Sequence, residues 1–253
     1  MGASGLVLVH SPLLGPNSWQ PVAGVLRGHG WEVAVPSLVQ AIEAPPPLYR
    51  ALARTVADLL AESAAGGVML VVHSAAGALV PSIVEAAPRA TVSRVVFVDA
   101  TLPHPGRPWT ETVPAEMAQG LLATADPDGS LPPWHEWFPP RVLTEVVPNE
   151  QDRALLVADI PRLPRRYLEE AAPELVSWRS LPCGYVQLSD SYNDAAERAR
   201  RSGWPVTRVH GTHLSGLTEP MLVADAIEAI AGVHRCSHRP APADRRSHGE
   251  GAR

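Results

Sequence analysis

Cysteine is scarce, long apolar runs are missing and no single sign of charge dominates. The two cysteines of the 253-residue chain, Cys183 and Cys236, fall in an apolar segment and in the tail, so a disulfide framework is not expected. Neither has metal-ligand spacing to a second cysteine, and no metal or cofactor is called for. No apolar stretch approaches the roughly 20 residues that span a bilayer, so no membrane association is expected. The opening residues Met1-Gly2-Ala3-Ser4 show no charged leader followed by a long apolar stretch, which predicts a cytoplasmic protein. A formal charge of −5 with both signs interspersed forms no basic stripe, which argues against nucleic acid as a partner.

What is present is an ordinary globular balance, 45% hydrophobic and 19% charged, on a chain long enough for one domain carrying an insertion. Short β-branched runs recur at Leu6–His10, Glu32–Val35, Val68–His73, Arg94–Asp99, Gly184–Leu188 and Val206–His210. Nearly continuous apolar runs separated by helical patterns predict an α/β fold with a mostly parallel six-stranded sheet covered on both faces. Helices are expected over Trp19–Gly28, Pro47–Ala64, Ala75–Ala87, Ala195–Ser202 and Glu219–Gly232. The core is therefore assigned to 1–100 and 183–233. Between 101 and 182 the alternation stops, and prolines gather with Trp109, Trp134, Trp137, Phe138 and Trp178. This segment is read as a cap insertion with helical pieces at Pro114–Leu122, Asn149–Ile160 and Leu163–Ala171. Residues 234–253, rich in Arg, Pro, His and Gly, read as a disordered tail.

The chemistry-bearing segment is Val68-Met69-Leu70-Val71-Val72-His73-Ser74-Ala75-Ala76-Gly77-Ala78, a buried strand, one polar pair and small residues leading into a helix. A sharp strand-to-helix turn lifts a serine hydroxyl to the sheet edge, near the positive end of the following helix. Here the chain resembles the α/β-hydrolases, most closely their hydroxynitrile lyase and plant esterase branch, over nearly all of residues 5–232. The family's elbow is G-x-S-x-G; Val72 and Ala76 replace its two glycines.

The resemblance implies a nucleophile at Ser74 and a histidine after the last strand. Val209-His210-Gly211-Thr212-His213-Leu214 stands there, and His213 is the choice, with His210 read as a core histidine inside the strand. The acid is expected at the end of the penultimate strand, where Tyr185-Val186-Gln187-Leu188-Ser189-Asp190 places Asp190. Asp99, which closes the preceding strand, is the reserve acid, and Asp194 is read as a helix cap.

The loop after the first strand, His10-Ser11-Pro12-Leu13-Leu14, has His-Ser where the family usually has His-Gly. One oxyanion donor is expected at the Ala75 N–H. The family's second donor falls on Pro12, which has no N–H, so either Leu13 N–H or the Ser11 hydroxyl replaces it or the chemistry needs no strong oxyanion site. His10, His73, Trp109, Trp134 and Trp137 are candidate pocket residues; His104 and His135 are read as surface residues of the insertion. The run Arg162-Leu163-Pro164-Arg165-Arg166 reads as a solvated face able to meet an acidic partner such as a carrier protein.

The activity implied is that of a cofactor-free serine hydrolase or acyl transferase for a small-molecule ester or thioester, free or held on a carrier protein. A non-hydrolytic lyase or cyclase of the same fold, and a catalytically silent binding member, are the two other readings. The Ala-, Arg- and Pro-rich composition is associated with GC-rich genomes, where such enzymes often serve specialised metabolism.

Overall fold

The computed structural model describes residues 5–62, 67–89 and 91–232. The tail expected over 234–253, with Cys236, lies outside the described residues.

Six strands form one fully parallel sheet: β1 (Gly5–Val9), β2 (Glu32–Ala34), β3 (Val68–His73), β4 (Val92–Val98), β5 (Cys183–Gln187) and β6 (Val206–Arg208), in the order β2-β1-β3-β4-β5-β6. The helices are α1 (Gln20–Gly28), α2 (Leu48–Glu62), α3 (Val80–Ala86), α4 (Ala115–Leu122), α5 (Pro140–Val146), α6 (Glu150–Val157), α7 (Arg166–Glu169), α8 (Asn193–Arg201), α9 (Ser215–Thr218) and α10 (Pro220–Ala231).

Alternation along each strand decides which helices cover which face. Leu6, Leu8, Met69, Val71, Val96, Val98 and Val186 pack with Val22, Leu26, Val223 and Ile227 of α1 and α10. The intervening Val7, Val9, Leu70, Val72, Val95, Phe97 and Tyr185 pack with Leu52, Val56, Ile83 and Ala196 of α2, α3 and α8. The nearly continuous apolar runs of the central strands are thus explained by a sheet buried on both sides.

The expected helix Ala75–Ala87 is split. A tight 3₁₀ segment, Ser74–Leu79, leads out of β3, and the α-helix proper begins only at Val80. Residues 101–182, between β4 and β5, carry α4 to α7 and an isolated antiparallel bridge, Ser130 to Pro164. Carboxylates pin this segment to the rest of the molecule. Asp159 accepts the Asn17 N–H at 2.8 Å, and Glu170 accepts the N–H groups of Leu48 and Tyr49 at 2.8 and 3.1 Å, at the start of α2. Gly15 makes the first contact possible, because a Cβ there would lie 2.0 Å from Asp159 Cγ.

Among the described residues, no helix is long and apolar enough to cross a membrane.

Candidate active site

Ser74 follows β3 at the C-terminal edge of the sheet with φ of +57°, a conformation that costs a non-glycine residue on the order of 1 kcal/mol. The turn is held by Thr101, whose N–H donates to the Ser74 carbonyl at 3.0 Å. It also needs one glycine: a Cβ on Gly77 would meet the Thr101 carbonyl oxygen at 1.9 Å. The close backbone approach at this turn falls at Gly77, not at Val72 or Ala76. Val72 is an ordinary core side chain, fully buried in β3 opposite Val9 and Phe97.

His213 lies in the loop after β6. Its Nδ1 is 2.8 Å from Oδ2 of Asp99, which is fully buried. The Leu188 and Ser189 N–H groups donate to Asp99 Oδ1 at 2.8 and 3.0 Å, and the Ser189 hydroxyl donates to Oδ2 at 2.6 Å. Burial by itself raises this carboxyl's pKa; the His213 contact and the Ser189 and Leu188 hydrogen bonds outweigh it and hold Asp99 below the usual carboxylate range.

The expectation that Asp190 holds the imidazole is corrected by this geometry. After Ser189 the chain enters a 3₁₀ turn, Asp190–Tyr192, that turns the Asp190 side chain outward to 83% exposure, where it pairs with Arg208 at 2.8 Å. The reserve residue Asp99 occupies the inner position, itself at φ +41°. Asp194 lies in the first turn of α8.

The same turn brings in Tyr192, which the sequence reading did not single out. Its ring lies parallel to the His213 imidazole, centroids 5.0 Å apart and planes 7° apart, and its hydroxyl is 3.3 Å from Ser74 Oγ. Serine and histidine thus touch one tyrosine from two sides. Among the described residues no hydrogen bond joins Ser74 Oγ to His213. With Nδ1 committed to Asp99, Nε2 is the imidazole nitrogen left for proton transfer. Burial above all pushes the Tyr192 phenol up to about 12, so it remains a protonated donor at neutral pH.

The two expected replacements for the Pro12 donor engage each other: Leu13 N–H donates to Ser11 Oγ at 3.2 Å. Ala75, second residue of its 3₁₀ segment, has an N–H without an acceptor in its own helix.

Two histidines expected in the pocket are structural. His10 is fully buried, Nδ1 donating to the Ser11 carbonyl at 2.8 Å and Nε2 accepting from Leu38 N–H at 2.9 Å. Burial lowers its pKa to about 4. His73 lies behind the site, stacked on His213 at 4.5 Å and donating from Nε2 to the His213 carbonyl at 3.0 Å; burial, then the neighbouring His213, lowers it to about 3. Trp134 also lies away from the cavities near Ser74, beside the apolar cluster of Leu14, Val147, Leu156, Leu214 and Leu217. His210, expected inside the last strand, lies beyond its end at Arg208 and is exposed.

Two cavities are lined by residues that adjoin or contact Ser74. A small apolar one is lined by Leu13, Tyr49, Ala75, Ala78, Trp137 and Leu168, among others. A larger one of about 480 Å³ has Tyr192 in its wall; Thr101, His104 and Trp109 border both. Of the five pocket candidates, Trp109 and Trp137 line these cavities. His104, expected at the surface, is partly buried between the cavities.

No protein-family model matches this chain, and no curated protein matches it by sequence. Solved structures match closely in shape. An extracellular α/β-hydrolase from a Paenibacillus species, described as sharing structural and functional homology with tobacco salicylic acid binding protein 2, superposes with a TM-score of 0.74 at 19% identity, covering 90% of this chain and 98% of that one. A pyrethroid hydrolase from Sphingobium faniae JZ-2 gives 0.70 at 20% identity, covering 91% and 98%. Polyneuridine aldehyde esterase gives 0.69 at 19%, covering 91% and 100%. The chain has the α/β-hydrolase fold.

Proposed function

We propose that the protein is a serine hydrolase, or acyl transferase, acting on a small-molecule ester or thioester through Ser74, His213 and Asp99. The observation that carries this reading is a strained, edge-mounted serine that shares Tyr192 with an imidazole whose Nδ1 is held by a buried carboxylate. Strain of this kind persists only where surrounding contacts impose it, and it clusters at working sites.

In the proposed reaction Ser74 Oγ attacks the acyl carbon and its proton passes to His213 Nε2. Asp99 fixes the tautomer and stabilises the imidazolium. The imidazolium then returns the proton to the departing alcohol or thiol, leaving an acyl-enzyme. Water or another acceptor, deprotonated by His213, takes the acyl group and restores the serine. The oxyanion receives the Ala75 N–H and, in place of the donor lost at Pro12, the Tyr192 hydroxyl. As the acyl group enters, that hydroxyl moves from Ser74 Oγ to the developing oxyanion, and Oγ is released to face Nε2.

A fluorophosphonate probe and short p-nitrophenyl esters test the reading. Labelling of Ser74 and ester hydrolysis are expected in the wild-type protein and lost in Ser74→Ala and His213→Ala. A folded wild-type sample that neither labels nor hydrolyses would sink the enzymatic case.

A further inference from the structure

The larger cavity differs in charge from the chain around it. The protein carries a formal −5, yet this cavity is lined by three arginines, Arg107, Arg179 and Arg198, against one acid, Asp194. Every one of the 21 basic residues is arginine, so each fixed cation is a planar donor fork suited to carboxylate or phosphate oxygens.

The three are not equally free. Arg107 donates to the Glu111 carbonyl and lies 3.9 Å from its carboxylate. Arg179 and Arg198 have no ion-pair or side-chain hydrogen-bond partner among the described residues. Helix α8 shows a division of labour: Glu197 pairs with Arg200 and Arg201 on the outside, at 3.3 and 3.7 Å, while Arg198 turns to the cavity. His104, between the two cavities, reports the same field. Burial chiefly lowers its pKa, and the charges of Arg107 and Arg198 add to the lowering.

Tyr192 forms part of the wall of this cavity, and its hydroxyl lies 3.3 Å from Ser74 Oγ. The other cavity, beside Ala75, is apolar and, at about 20 Å³, has room for only the smallest acyl group. That leaves the cationic side for the other half.

We infer that the site is built for esters or thioesters whose alcohol or thiol half bears an anionic group, a carboxylate or a phosphate, seated on Arg179 and Arg198 beyond Tyr192. The inference rests on the serine-hydrolase reading above for the chemistry, but not for the binding.

The turnover test compares phenyl acetate with 4-acetoxybenzoate and 4-acetoxyphenyl phosphate. The kcat/KM of at least one anionic ester is expected to exceed that of the neutral one by about tenfold at low salt, and the advantage to shrink as salt screens the site. The better of the two identifies carboxylate or phosphate. In Arg179→Gln/Arg198→Gln the ratio falls to about one, whereas Arg200→Gln, which alters the outward pair, keeps it.

The binding test uses 4-acetamidobenzoate and its phosphate counterpart with Ser74→Ala by calorimetry. An affinity about tenfold weaker on adding the double arginine substitution is expected. Binding without turnover in the wild type overturns the hydrolase reading and leaves the anion site standing. Turnover with no preference for charge, or binding indifferent to both arginines, overturns this inference.

Discussion

Asp99 Oδ2 and His213 Nδ1 lie 2.8 Å apart although 114 residues separate them in the chain. The carboxylate also takes three hydrogen bonds from Leu188 and Ser189, so the turn after β5 fixes the acid that the loop after β6 uses. Asp99→Asn should lower kcat for an activated ester by on the order of 10⁴, as loss of the correct tautomer does in other triads. Asp190→Asn, altering an exposed ion pair with Arg208, should change it by less than about threefold. The reverse ranking would return the acid to Asp190.

Tyr192→Phe keeps the ring over His213 and removes the hydroxyl. If the hydroxyl is the second oxyanion donor, kcat should fall by on the order of 10²–10³ with KM little changed. A variant faster than wild type would mean that the tyrosine merely occludes the serine.

Ser74→Gly should abolish turnover and raise stability by about 1 kcal/mol, because glycine adopts the +57° φ without penalty. Chemical denaturation of this variant beside Ser74→Ala, which keeps the Cβ, isolates the backbone contribution. Equal stabilities would show that the elbow stores no strain.

His10 and His73 are held at about 4 and 3, below the ordinary 6.5. Below about pH 6.5 the unfolded chain binds protons that the folded one refuses. Their contribution is therefore complete above 6.5 and lost as pH falls toward 4, by on the order of 3 kcal/mol each. Asp99 acts in the same direction at lower pH, its stabilisation being lost as pH falls through its depressed value. Denaturation midpoints measured from pH 7.5 to 4.5 should decline steadily, and a flat profile would contradict the burial of both imidazoles.

The six parallel strands were legible because each lies in a short run rich in β-branched and apolar residues, and the positions of Ser74 after β3 and His213 after β6 because their signals are local. The choice of acid was not. Asp99 and Asp190 both close strands, and what separates them is how the chain leaves: a left-handed step tucks Asp99 inward, while a 3₁₀ turn throws Asp190 out to Arg208. Tyr192 had no periodic signal at all, since its place follows from that same turn. The bond from Leu13 N–H to Ser11 Oγ was equally hidden; it spends the Leu13 donor on its neighbour but leaves the Ser11 O–H its proton to give.

Glu170 seals the first turn of α2, and Asp159 grips the loop after β1. Swinging the 101–182 segment away as a rigid flap would expose two helix-end N–H groups and strip two carboxylates of their donors at once. Traffic of substrate and product should instead pass through the arginine-lined mouth, with the roof staying shut and only side chains yielding.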